Sequence, residues 1–248
     1  MKHPLLLTLL CTVAGATQAQ YTEQEIGQIA AEYLVENPQF LLEASKNLQE
    51  IAQNKAMAEQ IDQVLVQKEA LINNDTPFIG NAKGNIAIIK FFDYQCGYCG
   101  VMAEHMKSLV KENNDVKVYL KETPIFGARS EPSLLAAEWA MEIFTKKGNQ
   151  AYENFHNALW HAAKNNGNQL SNDLIKDQVE KAGLAFEDDT KFMTQTPQEN
   201  VRLFSQLGFR GTPALIVMPT EGANKDNVSV IAGADIDEVR KAIEKAQS

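Results

Sequence analysis

Two cysteines separated by two residues are the side chains in this sequence best suited to covalent chemistry. The run Cys96-Gly97-Tyr98-Cys99 directly follows Ile86 to Phe92, an apolar stretch with the composition of a buried strand. Apolar residues then recur at helical spacing, which predicts that Cys96 lies at the first turn of a helix. Unpaired backbone amides and the positive end of the helix favour a thiolate there, so Cys96 is a candidate nucleophile.

Cys99 is predicted one helical turn after Cys96, close enough to form a disulfide and less exposed to an incoming substrate. As a structural bridge, this pair closes almost no loop and removes little entropy from the unfolded chain. The spacing therefore favours thiol–disulfide exchange. One thiolate attacks a substrate disulfide, and the second thiol resolves the mixed disulfide that forms.

Metal binding is the alternative use of a cysteine pair. Structural zinc needs four ligands, yet no second cysteine pair follows, and none of His105, His156 and His161 is spaced to complete a set. We therefore predict no zinc site, while copper(I) held by two thiolates stays open as an alternative. No glycine-rich phosphate loop lies between a strand and a helix, so no organic cofactor is predicted.

A second segment of interest is Gly211-Thr212-Pro213, which precedes the strand-like stretch Ala214 to Met218. Proline is tolerated at the first position of a strand, where a missing N–H is harmless. Alternatively, Pro213 is a cis-proline in a tight turn, with an open backbone edge that an extended substrate could pair with. The residues alone leave both interpretations open.

The surrounding elements predict an α/β domain. Strand, helix and a second strand at Val116 to Leu120 form a βαβ unit, which should be right-handed with parallel strands. Residues 130–208 carry consecutive helical patterns and are predicted to be an inserted helical subdomain. A hairpin through Val228 to Ile231 and a final helix beginning near Asp235 complete the domain.

Residues 1–19 have the pattern of a secretory signal peptide. Met1-Lys2-His3 supplies a basic start, Leu5 to Val13 an apolar segment, and the small residues ending at Ala19 a cleavage site. The apolar run is too short to span a bilayer, which takes about 20 residues. We therefore expect an exported, periplasmic protein.

Residues 20–76 differ in composition from the rest and are predicted to form a helical arm. Thr22 and Glu25 fit a capping box, and Asn37-Pro38 fits the start of a second helix. An apolar stripe through Leu41, Leu48 and later positions needs a partner surface. The arm either folds back on its own domain or joins copies of the chain, and we favour self-association.

Composition limits the function classes. The 248 residues are 44% hydrophobic and 22% charged, enough to build a true core. A net charge of −9 argues against general affinity for nucleic acid or anionic lipid.

Together, the cysteine motif, the helical insertion and the Thr212-Pro213 element resemble the DsbA-like branch of the thioredoxin superfamily. The resemblance implies a thioredoxin-like catalytic domain at residues 77–248, with Cys96 attacking, Cys99 resolving, Pro213 as the cis-proline and Thr212 tuning the sulfur. It also implies the partners, which are unfolded or misdisulfided exported proteins and a membrane redox partner that reduces or reoxidises the cysteines.

The sequence departs from that family at two places. Gly97-Tyr98 stands where the oxidases carry Pro-His, and it matches the DsbC-type disulfide isomerases, which are dimers and also have threonine before their cis-proline. We therefore expect a dimer that isomerises or forms disulfides, with Cys96 less acidic than in the oxidases because a cation is missing. A copper(I)-binding or holdase chaperone protein is the alternative function.

The second departure is Lys90, six positions before Cys96, where the family places an acidic residue. The proton-relay role of that acid does not carry over to a lysine. A buried lysine would instead favour a thiolate or pair with an acid such as Glu122.

Overall fold

A computed structural model describes residues 21–187 and 195–248. The chain divides into two compact units, Met1–Gln53 and Asn54–Ser248. The predicted signal peptide lies outside the described residues. Nowhere in the described ranges does a helix have both the length and the apolar character needed to cross a membrane.

The elements alternate as expected of an α/β chain with added helices. The helices are α1 (Glu23–Glu36), α2 (Gln39–Val66), α3 (Lys68–Leu71), α4 (Gly97–Glu112), α5 (Glu131–Lys147), α6 (Asn149–Asn165), α7 (Asn172–Lys181), α8 (Thr196–Gln206) and α9 (Ile236–Ala246). The strands are β1 (Phe78–Gly80), β2 (Ile86–Phe92), β3 (Val116–Glu122), β4 (Ala214–Pro219) and β5 (Ser229–Ala232).

The described strands form one sheet in the order β1-β3-β2-β4-β5. β2 and β3 are parallel, with Ile88 opposite Val118, and they flank α4 in sequence, which confirms the predicted βαβ unit. β4 runs antiparallel to β2, and β5 antiparallel to β4, so the predicted hairpin is present. Every residue of β2 is buried, as expected of a strand at the centre of a sheet, and Lys90 is the one charged residue among its seven.

Each face of the sheet carries its own apolar core. One face packs against α4, the inserted helices α5 to α7, and α9. The other face packs against α8 and against Val64 and Leu71, both of which are 0% exposed. This is the DsbA-like thioredoxin fold with a helical insertion that the sequence predicted.

Residues 21–53 have a different character. The capping box of Thr22 and Glu25 forms as predicted, and the rings of Tyr33 and Phe40 stack at 5.8 Å. Helix α1 has no buried residue, and large apolar side chains such as Leu42 and Leu48 are 72% and 67% exposed. The segment therefore carries apolar surface that packing between α1 and α2 does not cover.

Candidate active site

Cys96 occupies the junction between the central strand and α4. It is the N-cap residue of the helix, with extended backbone angles, and its N–H donates to the main-chain oxygen of Asp93 at 3.0 Å. The N–H groups of Cys99 and Gly100 donate back to the Cys96 oxygen at 3.0 and 3.3 Å. The thiol therefore sits where the first backbone amides of a helix converge.

Asp93 fixes the turn that leads into this helix. Its buried carboxylate accepts hydrogen bonds from the N–H of Gln95 at 2.8 Å, the N–H of Phe126 at 2.9 Å and the hydroxyl of Ser133 at 2.7 Å. These bonds connect the strand end to the start of the helical insertion. The turn before Cys96 is thus anchored both to the end of β2 and to the start of the helical insertion.

The cis-proline segment lies against the same sulfur. The Thr212–Pro213 peptide bond is cis, and the Cys96 thiol donates to the Thr212 main-chain oxygen at 3.1 Å. The Pro213 oxygen accepts from the N–H of Gly233 at 2.9 Å, which ties the loop to the residues after β5. The structure therefore brings the two sequence-predicted segments into contact.

The two sulfurs have opposite acid–base properties. A hydrogen bond from the Cys99 side chain, with further bonds from Thr212 and backbone amides, lowers the pKa of Cys96 to about 6 against the opposing effect of burial. Burial raises the pKa of Cys99 well above its usual value, and Cys99 is 0% exposed. Near neutral pH, Cys96 is therefore mostly a thiolate and Cys99 a thiol.

A cavity of about 590 Å³ opens beside Cys96, between α4 and α6. Gly97, Tyr98, Val101 and Trp160 contribute to its lining. The Tyr98 side chain is 72% exposed, an unusual amount for a tyrosine, and Val101 is 50% exposed. The nucleophile is thus bordered by an apolar surface open to solvent.

Beneath the helix, Lys90 is completely buried, at 0% exposure. Its Nζ donates to the main-chain oxygen of Cys99 at 3.4 Å and lies 5.0 Å from the Phe92 ring centroid and 5.6 Å from that of Trp160. Burial lowers the pKa of Lys90 to about 8. The sequence located this lysine but did not settle what it contacts.

Glu122 is the carboxylate that the sequence offered as a partner for Lys90. It is 0% exposed, and its Oε1 instead accepts from the hydroxyls of Tyr94 at 3.0 Å and Tyr152 at 2.6 Å. Lys90 and Glu122 form no direct salt bridge within the described part of the chain, so of the two alternatives for Lys90 the structure favours its proximity to the cysteines. Burial raises the pKa of Glu122 to about 8.

The network continues to His156, which sequence reasoning did not connect to the site. Trp160 Nε1 donates to His156 Nε2 at 3.0 Å, and His156 Nδ1 lies 2.8 Å from the Tyr94 hydroxyl. Because Nε2 accepts, Nδ1 must carry the proton of the neutral ring. Histidine followed four residues later by tryptophan on one helix was the only available signal.

The predicted site residues come together at the Cys96 thiol. They are Cys96, Gly97, Tyr98 and Cys99 at the start of α4 and Thr212 and Pro213 in the loop before β4. His105 lines the adjacent cavity, whereas His156 is buried in the network and His161 bonds with Asn165. Across residues 21–187 and 195–248, no three His, Cys, Asp or Glu side chains are grouped to hold a metal ion. The arrangement suits sulfur chemistry.

Comparison with known families agrees with this geometry. The DSBA-like thioredoxin domain model matches residues 87–244, well over half of the chain. The chain belongs to this family. Its chemistry is that of a thiol–disulfide oxidoreductase. The N-terminal residues 23–55 match a separate model, the copper resistance protein ScsC N-terminal domain.

Solved structures give the same assignment. BcfH of Salmonella enterica Typhimurium is 30% identical, covers 91% of this chain and 96% of its own, and has a TM-score of 0.79. A periplasmic thioredoxin-like protein from the same organism is 26% identical over 74% of this chain and 97% of its own, with a TM-score of 0.58. A linker-deletion variant of Proteus mirabilis ScsC, 23% identical over 94% and 99%, shares the fold with a TM-score of 0.62. No curated protein matches this chain.

Proposed function

We propose that this protein forms and rearranges disulfide bonds in exported proteins, with Cys96 as the attacking sulfur and Cys99 as the resolving sulfur. The observation that carries the proposal is the contrast between the two, one with a pKa lowered to about 6 and one with a raised pKa. A lowered pKa makes a thiol nucleophilic near neutral pH and a good leaving group.

The reaction proceeds by two exchange steps. The Cys96 thiolate attacks one sulfur of a client disulfide, the client S–S bond breaks, and the other client sulfur leaves as a thiolate. Isomerisation follows if a second client thiolate attacks the client sulfur of the mixed disulfide and returns Cys96 as a thiolate. Disulfide formation starts instead from the oxidised Cys96–Cys99 pair. This pair accepts two electrons and two protons from two client thiols, which become a client disulfide.

Client binding is supported by the surface around the nucleophile. Tyr98 and Val101 are exposed beside Cys96, and the adjoining cavity offers room for an apolar client side chain. Unfolded chains expose such side chains, whereas folded proteins bury them. The site therefore fits unfolded or misdisulfided clients better than a small thiol.

Self-association through the N-terminal arm, residues 20–76, forms part of the proposal. Most of the large exposed apolar residues of that segment lie on α1 and α2, and they include Ile26, Ile29, Leu41, Leu48 and Ile51. Burying this surface between copies would remove it from water. Several catalytic domains would then act on one client at raised effective concentration, which favours rearrangement over single oxidation. A dimer is the expected assembly.

The proposed compartment is the periplasm. The predicted signal peptide would direct export and then be removed. Isomerisation requires the reduced form, in which Cys96 and Cys99 are both free thiols. Because that compartment is oxidising, a membrane redox partner must reset the cysteines.

The second candidate is a copper(I)-binding or holdase protein, favoured by the match of residues 23–55 to a copper-resistance domain model and by two free sulfurs. Two thiolates suit copper(I). Replacing Cys96 by Ser separates a holdase from the two activities that need the sulfur. Suppression of client aggregation would survive, while exchange and copper binding would both be lost.

Refolding of scrambled ribonuclease tests the main proposal. The reduced wild-type protein should restore ribonuclease activity, Cys96→Ser should be inactive, and Cys99→Ser should accumulate mixed disulfides that electrophoresis detects. Activity of Cys96→Ser equal to wild type would exclude the proposed chemistry.

A further inference from the structure

The resolving cysteine is sealed from solvent, and this raises the question of where its proton goes. Cys99 is 0% exposed and carries a proton near neutral pH. It must lose that proton before it can attack the mixed disulfide, because the thiolate is the reactive form. Bulk water does not reach the sulfur, so a buried group has to accept the proton.

Lys90 is placed for this task, which revises the expectation from the sequence that a lysine at this position takes over no proton relay. Its side chain leaves the centre of β2 toward the first turn of α4, where Nζ donates to the Cys99 main-chain oxygen at 3.4 Å. The Lys90 Nζ also lies close to the rings of Phe92 and Trp160. No carboxylate in the described ranges is within salt-bridge distance, so the amine has no fixed counter-ion.

The other titratable groups that influence Lys90 are each occupied elsewhere or already assigned. From α4, Cys96 is the nucleophile, and Lys107 points to Glu104 at 3.3 Å. From β3, Glu122 accepts two tyrosine hydroxyls at Oε1, and although its buried Oε2 has no partner among residues 21–187 and 195–248, no hydrogen bond in these ranges joins Glu122 to Cys99. From α6, His156 is held between Tyr94 and Trp160. Lys90 is left as the group that bonds to Cys99 itself.

We infer that Lys90 is the acid–base residue for Cys99. In the mixed disulfide, the neutral Lys90 amine takes the Cys99 proton, and the Cys99 thiolate attacks Cys96 Sγ. The bond between Cys96 and the client sulfur breaks, and the client leaves with the electron pair as a thiolate. The products are the Cys96–Cys99 disulfide, a reduced client and the Lys90 ammonium, which returns its proton when Cys99 leaves in the reverse reaction.

An amine can do this only if both of its forms are accessible. Burial lowers the pKa of Lys90 to about 8, so neutral and charged amine coexist slightly above neutral pH. An exposed lysine would stay charged and could not accept a proton there. An arginine could not do so at any relevant pH.

The test follows the two steps separately. Attack of Cys96 on 5,5′-dithiobis(2-nitrobenzoate) gives a mixed disulfide and the first thionitrobenzoate. Attack by Cys99 releases the second, and stopped-flow absorbance follows both. At pH 8, Lys90→Met and Lys90→Arg should slow the second release about a hundredfold or more, a typical loss for a missing acid–base group. The first release should stay at the wild-type rate, because Cys96, with a pKa of about 6, is already ionised.

Lys121→Met is the matched control. Lys121 is also buried, at 4% exposed, and burial likewise lowers its pKa to about 8, but it packs on the opposite face of the sheet beside Ala70 and Thr76. It should not slow the second release. Wild-type rates in Lys90→Met, equal slowing in the control, or equal slowing of both steps would overturn the inference.

A measurement on the wild-type protein covers the case in which Lys90 variants do not fold. With 13C-labelled lysine, the Lys90 Cε resonance should titrate at a lower pH in the oxidised protein, because the disulfide has lost the negative sulfur that favours the ammonium. Lys121 should titrate at the same pH in both states. An unchanged Lys90 titration would contradict the assignment.

Discussion

The thiol of Cys96 donates a hydrogen bond to the main-chain oxygen of Thr212 at 3.1 Å, across 116 positions of sequence. The contact joins the start of α4 to the loop before β4. The sequence predicted a nucleophile in the first segment and offered a cis-proline in the second, without linking the two. The contact also puts the Thr212 side chain beside the sulfur, where its buried Oγ1 has no hydrogen-bond partner among residues 21–187 and 195–248. That hydroxyl can turn toward the sulfur once the thiol ionises.

Thr212→Val tests the hydroxyl. Valine keeps the branched shape but removes the hydroxyl, which can donate to the sulfur once Cys96 is ionised and so helps lower the pKa of Cys96. We expect the pKa of Cys96 to rise, and alkylation at pH 6 to slow several-fold while the rate at pH 9 stays the same. Thr220→Val, at the half-buried residue directly after β4, is the control. Equal rates at pH 6 in wild type and Thr212→Val would show that the hydroxyl does not act on the sulfur.

Gly97→Pro with Tyr98→His tests the residues between the cysteines. A side chain added at Gly97 meets no atom within 4 Å, and proline is favoured in the first helical turn, so the change should fold. An imidazolium near the sulfur stabilises the thiolate, which should lower the pKa of Cys96 and raise the reduction potential. Equilibration with glutathione measures this potential. An unchanged or lower value would contradict the electrostatic explanation.

The pKa of Cys96 also predicts a pH dependence of stability in the reduced protein. Because the folded pKa is about 6 and an unfolded thiol titrates near ~8.5, ionised Cys96 stabilises the fold fully above the unfolded value. This contribution is lost as the pH falls through about 6. Groups away from the two sulfurs titrate similarly in both redox states and largely cancel when the two are compared, whereas the buried Lys90 differs between them and is removed from the comparison by repeating it with Lys90→Met.

Urea unfolding of the reduced and oxidised proteins at pH 5.5 and pH 8 checks this expectation. The free energy of unfolding of the reduced form, minus that of the oxidised form, should be larger at pH 8. A difference that does not change between the two pH values would mean that Cys96 is not ionised in this range.

Leu48→Glu tests the N-terminal arm. Leu48 is 67% exposed on α2, and a charge there would be costly to bury between two copies. We expect the solution mass by light scattering to fall to that of one chain, with ribonuclease isomerisation reduced and reactivity toward a small disulfide retained. Gln53→Glu, on the same helix, is the control. An unchanged mass would remove this face from the proposed interface.

The sheet and its connections were predictable because they depend on local patterns. The largely apolar run from Ile86 to Phe92 is a central strand despite Lys90, and Asp235 caps the last helix with its carboxylate, as the charge pattern suggested. β1 was missed because a strand of three residues, Phe78–Gly80, is too short to carry a periodic signal. Val64 and Leu71 share a helical spacing with exposed positions, so their burial against the sheet was not visible in the sequence.

The site was predictable where chemistry follows from residue type and spacing, as it does for Cys96 and Cys99. The buried network was not, since Glu122, Tyr152 and His156 come from different elements and meet only after the insertion packs on the sheet. Contacts of this kind depend on tertiary packing, which no local pattern encodes.

The pH dependence of alkylation, read by mass spectrometry for each cysteine, tests the account most directly. Iodoacetamide should modify Cys96 in the folded, reduced protein with a half-maximal rate near pH 6, while Cys99 stays unmodified. A midpoint near the ~8.5 of a free cysteine, or modification of Cys99 ahead of Cys96, would contradict it.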